Sequence, residues 1–195
     1  MTGIILTGGK SSRMGRNKAF LRLNGEVIIE RTVRLFKTLF DEVILVTNLP
    51  DEYKYLNTRI VSDIYPHGGS LIGIYSGLYH SSSQYSFVAA CDMPFLKKDF
   101  IEYIIKQKDN YDIVIPFSKD GQEPLHAVYS RTCLNPMEGQ IKRGNLKIID
   151  IIPGLKERRI ERDEIIPFDP EFTSFINVNT PSELKMAEEM ARKGS

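Results

Sequence analysis

The stretch Leu6-Thr7-Gly8-Gly9-Lys10-Ser11-Ser12-Arg13-Met14-Gly15-Arg16-Asn17-Lys18 gathers glycine and positive charge directly behind the apolar run Ile4-Ile5-Leu6. Gly8 and Gly9 let backbone approach a ligand closely and aim N–H groups at it. Lys10, Arg13, Arg16 and Lys18 bring four positive charges within nine residues. A polyphosphate is the chemical match; a solvated surface loop is the alternative. Gly9-Lys10-Ser11 resembles the end of a P-loop, but that motif needs a glycine five residues before Gly9, where Ile4 stands. A compact P-loop cradle is therefore not the way this loop grips.

Two further constellations could do chemistry. Asp92-Met93-Pro94 follows the apolar run Phe87-Val88-Ala89-Ala90-Cys91, which puts a carboxylate at the end of a buried strand. Mg²⁺ is commonly held by one or two carboxylates, substrate phosphates and water. The competing role for Asp92 is a turn ahead of Pro94. Asn177 and Asn179 are two apart and face the same side on an extended chain, where an asparagine oxygen could serve a metal or position a phosphate. Their alternative is to satisfy backbone groups ahead of a helix. His67, His80 and His126 share no metal-ligand spacing, and His126, in an apolar run, reads as a packed core residue. Arg143, Asn145 and Lys147 around Gly144 could meet a second substrate, but read more simply as a solvated loop.

Short apolar runs alternate with helix-period segments. The runs 3–7, 42–47, 59–62, 86–90 and 112–116 read as strands, several apolar throughout as in sheets covered on both faces. Ile29, Val33, Phe36 and Phe40, then Leu71, Ile74, Tyr75 and Leu78, then Phe100, Ile101, Ile104 and Ile105, recur at helical spacing. This alternation predicts an α/β fold with a mostly parallel sheet. Beyond residue 117 the rhythm changes: 125–130 and 165–168 read as additional, antiparallel strands, and charged 156–164 as a solvated loop or edge. Thr180-Pro181-Ser182-Glu183 starts a last helix, with an N-cap threonine, a proline and the glutamate of a capping box. Ligands of open parallel sheets bind beyond the carboxyl ends of the strands, which places the first loop and Asp92 on one edge.

A chain of 195 residues fits one domain, 1–195, with a core large enough to need no staples. Net charge of +1 provides no global field for nucleic acid. Cys91 and Cys133 form no C-x-x-C pair and read as reduced thiols. No apolar run approaches the ~20 residues of a membrane span. The expectation is a soluble, cytoplasmic protein without membrane or nucleic-acid partners.

The loop L-T-G-G-x-S-x-R-M-G-x-x-K resembles the signature of the nucleotidyltransferases that build activated sugars and cofactors. Asp92-Met93-Pro94-Phe95-Leu96, Glu123-Pro124-Leu125-His126-Ala127-Val128-Tyr129 and Phe175-Ile176-Asn177-Val178-Asn179-Thr180-Pro181 resemble the molybdenum cofactor guanylyltransferases, the MobA family. The resemblance runs from residue 3 to about residue 190. It implies a Rossmann-like three-layer sandwich of nucleotidyltransferase type. The implied reaction transfers GMP from GTP to the phosphate of molybdopterin and releases pyrophosphate. It implies nucleotide contacts from Leu6, Thr7, Gly8, Gly9, Lys18, Asp63 and Asp92, with Lys18 on the phosphates beside Arg13. Asp92 would hold Mg²⁺, and Asn179 matches a second metal ligand of related sugar nucleotidyltransferases. GTP and molybdopterin are the implied partners, with transient contact to cofactor-synthesis proteins or apo-molybdoenzymes. Use of CTP or of a sugar-phosphate acceptor, and a carrier without turnover, are the alternatives. The sequence departs from the family at Thr7, usually alanine, whose hydroxyl is expected near the base. It departs again at Gly69-Ser70-Leu71-Ile72-Gly73, usually G-P-L-A-G, and in the strand ending at Thr47-Asn48, which lacks an asparagine that some members carry two residues before Asn48.

Overall fold

A computed structural model describes residues 1–7 and 20–193, apart from the Lys193 side chain. Strand β1 (Thr2–Leu6) is buried along its whole length at the middle of the main sheet. After it come a hairpin, β2 (Arg22–Leu23) and β3 (Glu26–Val27), then helix α1 (Ile28–Leu39) and strand β4 (Glu42–Val46). The chain continues through β5 (Arg59–Val61), α2 (Ser70–His80), β6 (Tyr85–Ala90), α3 (Lys98–Lys106) and β7 (Ile113–Ser118). The last part holds β8 (Gly121–Gln122), β9 (His126–Ser130), α4 (Leu134–Lys142), β10 (Glu157–Ile160), α5 (Arg162–Ile165) and α6 (Pro181–Lys193).

The sheet order is β10-β7-β9-β6-β1-β4-β5, with β8 on β7. β6, β1, β4 and β5 run parallel, β10 is parallel to β7, and β9 is antiparallel to both neighbours. The mostly parallel α/β sheet is as expected. From β1 the chain moves outward to β4 and β5, then returns through α2 to β6 on the other side of β1. The switch point of the sheet lies there.

Period-two alternation splits the core. Ile5 joins Val33, Phe36, Phe100, Ile104 and Ile165 on one face, under α1, α3 and α5. Ile4 and Leu6 join Leu71, Ile74, Met137 and Ile141 on the other, under α2 and α4. Two glycines set these distances by close approach. A Cβ on Gly3 would collide with the Phe40 ring, and one on Gly77 would lie 2.6 Å from Ile4. The long helix α6 packs on the hairpin through Leu23, Ile28, Val178 and Ala187.

One expected element is absent. Residues 165–168 close α5 and the turn behind it, because Glu161 and Glu164 cap that helix reciprocally and Ile166 is half exposed. The charged segment before it carries the edge strand β10. Among the described residues no helix is long and apolar enough to cross a membrane.

Candidate active site

β1 and β6 end side by side at the switch point. The Cys91 N–H donates to the Leu6 carbonyl at 3.0 Å, so the chain leaving β6 starts level with the end of β1. The Thr7 N–H and its hydroxyl both donate to the Val46 carbonyl, each at 3.0 Å. The hydroxyl expected near a base is therefore held against β4. Threonine in place of alanine ties the chain leaving β1 to the sheet.

A cleft opens beside these strand ends, lined by Leu6, Val46, Thr47, Asp63, Gly69, Ser70 and Gly73. Its carboxylate is Asp63, just beyond β5. Asn48 holds that residue twice: its Nδ2 donates to Asp63 Oδ2 at 2.8 Å, and its Oδ1 accepts the Asp63 N–H at 3.1 Å. Burial pushes the Asp63 carboxyl above its usual range, and the Asn48 bond offsets this only in part. The N-terminus of α2 faces the same cleft through Gly69 and Ser70. Gly69, at φ +114°, makes the turn into the helix in a region that a side chain would strain. The helix's other end is closed, since Arg131 donates to the Leu78 and Ser81 carbonyls at 3.1 and 2.7 Å. An N-terminus open to a cleft favours negative or acceptor groups there. Leu146 approaches Gly69, so the loop at 143–147 borders the cleft, with Arg143 and Lys147 exposed. Asn145 is committed within that loop, to the Lys147 N–H and to Asp150.

Asp92 sits on the far side of the switch point, partly buried, with its Oδ1 shielded from solvent. The Val178 N–H donates to the Asp92 carbonyl at 2.8 Å. That bond brings Asn177-Val178-Asn179 alongside Asp92: Val178 points into the core, Asn177 is exposed and Asn179 is half buried. The Asn179 and Thr180 N–H groups both donate to Glu183 Oε2, at 2.6 and 3.0 Å, while Glu183 N–H returns to Thr180 Oγ1 at 3.2 Å. The expected capping box thus also holds Asn179. A carboxylate and an amide oxygen are hard donors suited to Mg²⁺. Among the described residues no group of three or more His, Cys, Asp or Glu could hold a metal. A cation beside Asp92 would therefore complete its shell with phosphate oxygens and water.

Gly8, Gly9, Lys10, Arg13, Arg16 and Lys18 lie outside the described residues. His126 is, as expected, a core residue with no exposure. It stacks on Phe100 at 5.3 Å and meets Phe87 and Phe175 edge-on at 5.1 and 5.3 Å. Neither ring nitrogen has a hydrogen-bond partner among the described residues. Burial lowers its pKa to about 3, and Asp169 raises it only slightly against that. Cys133 is equally remote from chemistry, with burial pushing its thiol up to about 12.

Sequence spacing does not reveal two groups near the site. One is Asn48, fifteen residues from Asp63 and joined to it only by the parallel pairing of β4 with β5. The other is Lys97, whose Nζ lies 2.7 Å from the fully buried Asp169. The visible signal was a lysine where a helix N-cap belongs, a position that favours Ser, Thr, Asp or Asn.

Residues 3–157 match the family model described as the MobA-like NTP transferase domain. The chain belongs to that family. This MobA-like enzyme is 40% identical over 196 residues to the molybdenum cofactor guanylyltransferase of Desulfosudis oleivorans, covering 100% of this chain and 97% of the relative. It superposes on the molybdopterin-guanine dinucleotide biosynthesis protein A of Archaeoglobus fulgidus with a TM-score of 0.86 at 31% identity, covering 99% and 100% of the two chains. A Mycobacterium tuberculosis protein solved in complex with manganese matches at TM-score 0.68 over 96% of this chain and 97% of its own; its 16% identity shows the fold alone. The protein is therefore a MobA-type nucleotidyltransferase of molybdenum cofactor biosynthesis, with the nucleotidyltransferase fold around the site described above.

Proposed function

We propose that this MobA-like enzyme transfers GMP from GTP to the phosphate of molybdopterin and releases pyrophosphate. The supporting observation is the pairing at the switch point: Asp92 and Asn179 lie on hydrogen-bonded segments beside a cleft that carries Asp63 and the α2 N-terminus. The nucleoside end of GTP docks over the mouth of this cleft, with Asp63 accepting from its donor groups while Asn48 keeps the carboxylate aimed. Leu6, Thr7, Gly8 and Gly9 border the nucleotide, and Lys18 and Arg13 contact its triphosphate. The choice of guanine leans on the guanylyltransferase relative, which covers the whole chain.

The acceptor is already a phosphate, so no general base is required. One of its oxygens attacks the α-phosphorus of GTP; the new P–O bond forms as the bond to the bridging oxygen of the β-phosphate breaks, and pyrophosphate takes the electron pair. The protein must align two anions that repel each other and offset charge on the leaving group. Asp92 and Asn179 would hold Mg²⁺, which when bound neutralises phosphate charge.

The test is pyrophosphate release with Mg²⁺ and molybdopterin, offering GTP, CTP, ATP and UTP separately. Release with GTP alone is expected. Release with CTP alone would keep the mechanism and overturn the base, and tight GTP binding without turnover would make the protein a carrier.

A further inference from the structure

We propose that Lys97 and Asp169 are positioning residues that hold the arm of Asn177 and Asn179 against Asp92 and thereby set the affinity for the divalent cation. This rests on the metal reading above.

Two segments run together here. One leaves β6 as Asp92-Met93-Pro94-Phe95-Leu96-Lys97, and the other runs from Asp169 to Asn179. They are joined at three levels: Lys97 Nζ to Asp169 at 2.7 Å, Ser174 Oγ to the Phe95 carbonyl at 3.4 Å, and Val178 N–H to the Asp92 carbonyl at 2.8 Å. Asp169 is the knot. Its Oδ1 accepts from Thr173 N–H at 3.1 Å and Thr173 Oγ1 at 2.9 Å, and its Oδ2 accepts from Ser174 N–H at 2.7 Å. These bonds build the tight turn Thr173–Phe175 that redirects the chain toward Asp92.

Lys97 occupies the N-cap of α3 and makes no capping bond there. A cation at that end opposes the helix dipole, and the position favours short acceptors. The side chain instead reaches Asp169, which has no exposure. Local rules are broken where another requirement dominates. Burial raises the Asp169 carboxyl, but Lys97 and the Ser174 and Thr173 donors outweigh it and hold the group below its usual range. The turn is therefore anchored by a charged acceptor. Asn179 hangs between two fixed points, Val178 on Asp92 and its own N–H on Glu183. Loosening the turn releases the first of these and lets the amide drift from the carboxylate.

The experiment is titration of Mn²⁺ into the full chain with GTP, followed by electron paramagnetic resonance, for wild type, Asp92→Ala, Asp169→Asn, Lys97→Met and Lys97→Arg. Thermal melts are recorded beside it. Asp92→Ala should abolish the bound signal. Asp169→Asn and Lys97→Met should raise the Mn²⁺ dissociation constant about tenfold or more, the usual scale for groups that orient metal ligands. Lys97→Arg keeps the charge and should stay within about threefold of wild type. Wild-type Mn²⁺ affinity in folded Lys97→Met or Asp169→Asn overturns the positioning role. Lys97→Met decides if Asp169→Asn does not fold. Wild-type affinity in Asp92→Ala instead overturns the metal assignment, and the proposal with it.

Discussion

The two edges of the sheet treat their carboxylates in opposite ways. At the amino edge, Glu42 opens β4 and is surrounded by donors. It accepts from Thr2 Oγ1 at 2.8 Å, Ser82 N–H at 3.1 Å, Ser82 Oγ at 2.8 Å and Arg59 at 2.5 Å. Burial would raise this carboxyl, but those donors bring it down to about 2. At the carboxyl edge, Asp63 has burial pushing it up and Asn48 as the donor that pulls it down. Protein groups satisfy the first carboxylate almost completely, so it is fixed structure. Among the described residues the second keeps acceptor capacity for a ligand. Under the proposed function the two edges divide the work: stability at the amino edge, binding and transfer at the carboxyl edge.

His126 extends that series to its limit, since it is buried with no donor or acceptor beside its nitrogens among the described residues. Its folded pKa of about 3 lies below the unfolded value of 6.5, so the unfolded chain binds the proton first. Stability should therefore fall as the pH drops from about 6.5 toward 3, by roughly 4–5 kcal/mol in full. Urea melts of His126→Leu should show a flatter pH dependence over that window; an unchanged slope would mean the ring is hydrated in the fold.

Glu42→Gln should cost about 3 kcal/mol at neutral pH and leave kcat alone, because Glu42 contributes stability above its unfolded pKa of 4.5 that disappears as pH falls through about 2. The difference between wild type and variant should accordingly shrink below about pH 4.5. Loss of turnover in the folded variant would erase the division between the edges. The smallest effect is expected of Asn48→Ala: a KM for GTP about tenfold higher, near 1.4 kcal/mol, with a similar melting temperature. Removing the bond that lowers Asp63 should also move the acidic limb of the pH–rate profile upward. A variant that melts early with unchanged KM would place Asn48 among the structural groups instead.

Much of the frame was legible because apolar runs and helical spacing report burial directly. β1, β4, β6 and the faces of α1 and α3 follow from them, and Thr180-Pro181-Ser182-Glu183 announces α6 by local chemistry alone. The stretch 165–168 misleads because Ile165, Ile166 and Phe168 are as apolar as a strand, while two glutamates upstream decide for a helical turn. The hairpin at Asn24 and Gly25, with φ of 51° and 84°, carries an Asn-Gly turn signal that periodicity passes over. The position of Asp92 just behind β6 is readable from the apolar run that precedes it. The Asn48–Asp63 and Lys97–Asp169 pairs are not, since only strand order and the turn at 169–175 bring their members together. The Thr7 hydroxyl shows the same limit: residue type indicates a donor, and only the fold shows that Val46 receives it.

The role of Asp92 in GMP transfer is tested most directly by following the α-phosphorus of labelled GTP into molybdopterin, comparing wild type with Asp92→Asn at saturating GTP and Mg²⁺. Wild type should give labelled dinucleotide product. The variant should still bind GTP and melt as wild type does, but transfer about 10²- to 10³-fold more slowly. Transfer by Asp92→Asn at the wild-type rate would contradict that role, because the carboxyl edge would then perform its chemistry without the carboxylate at its centre.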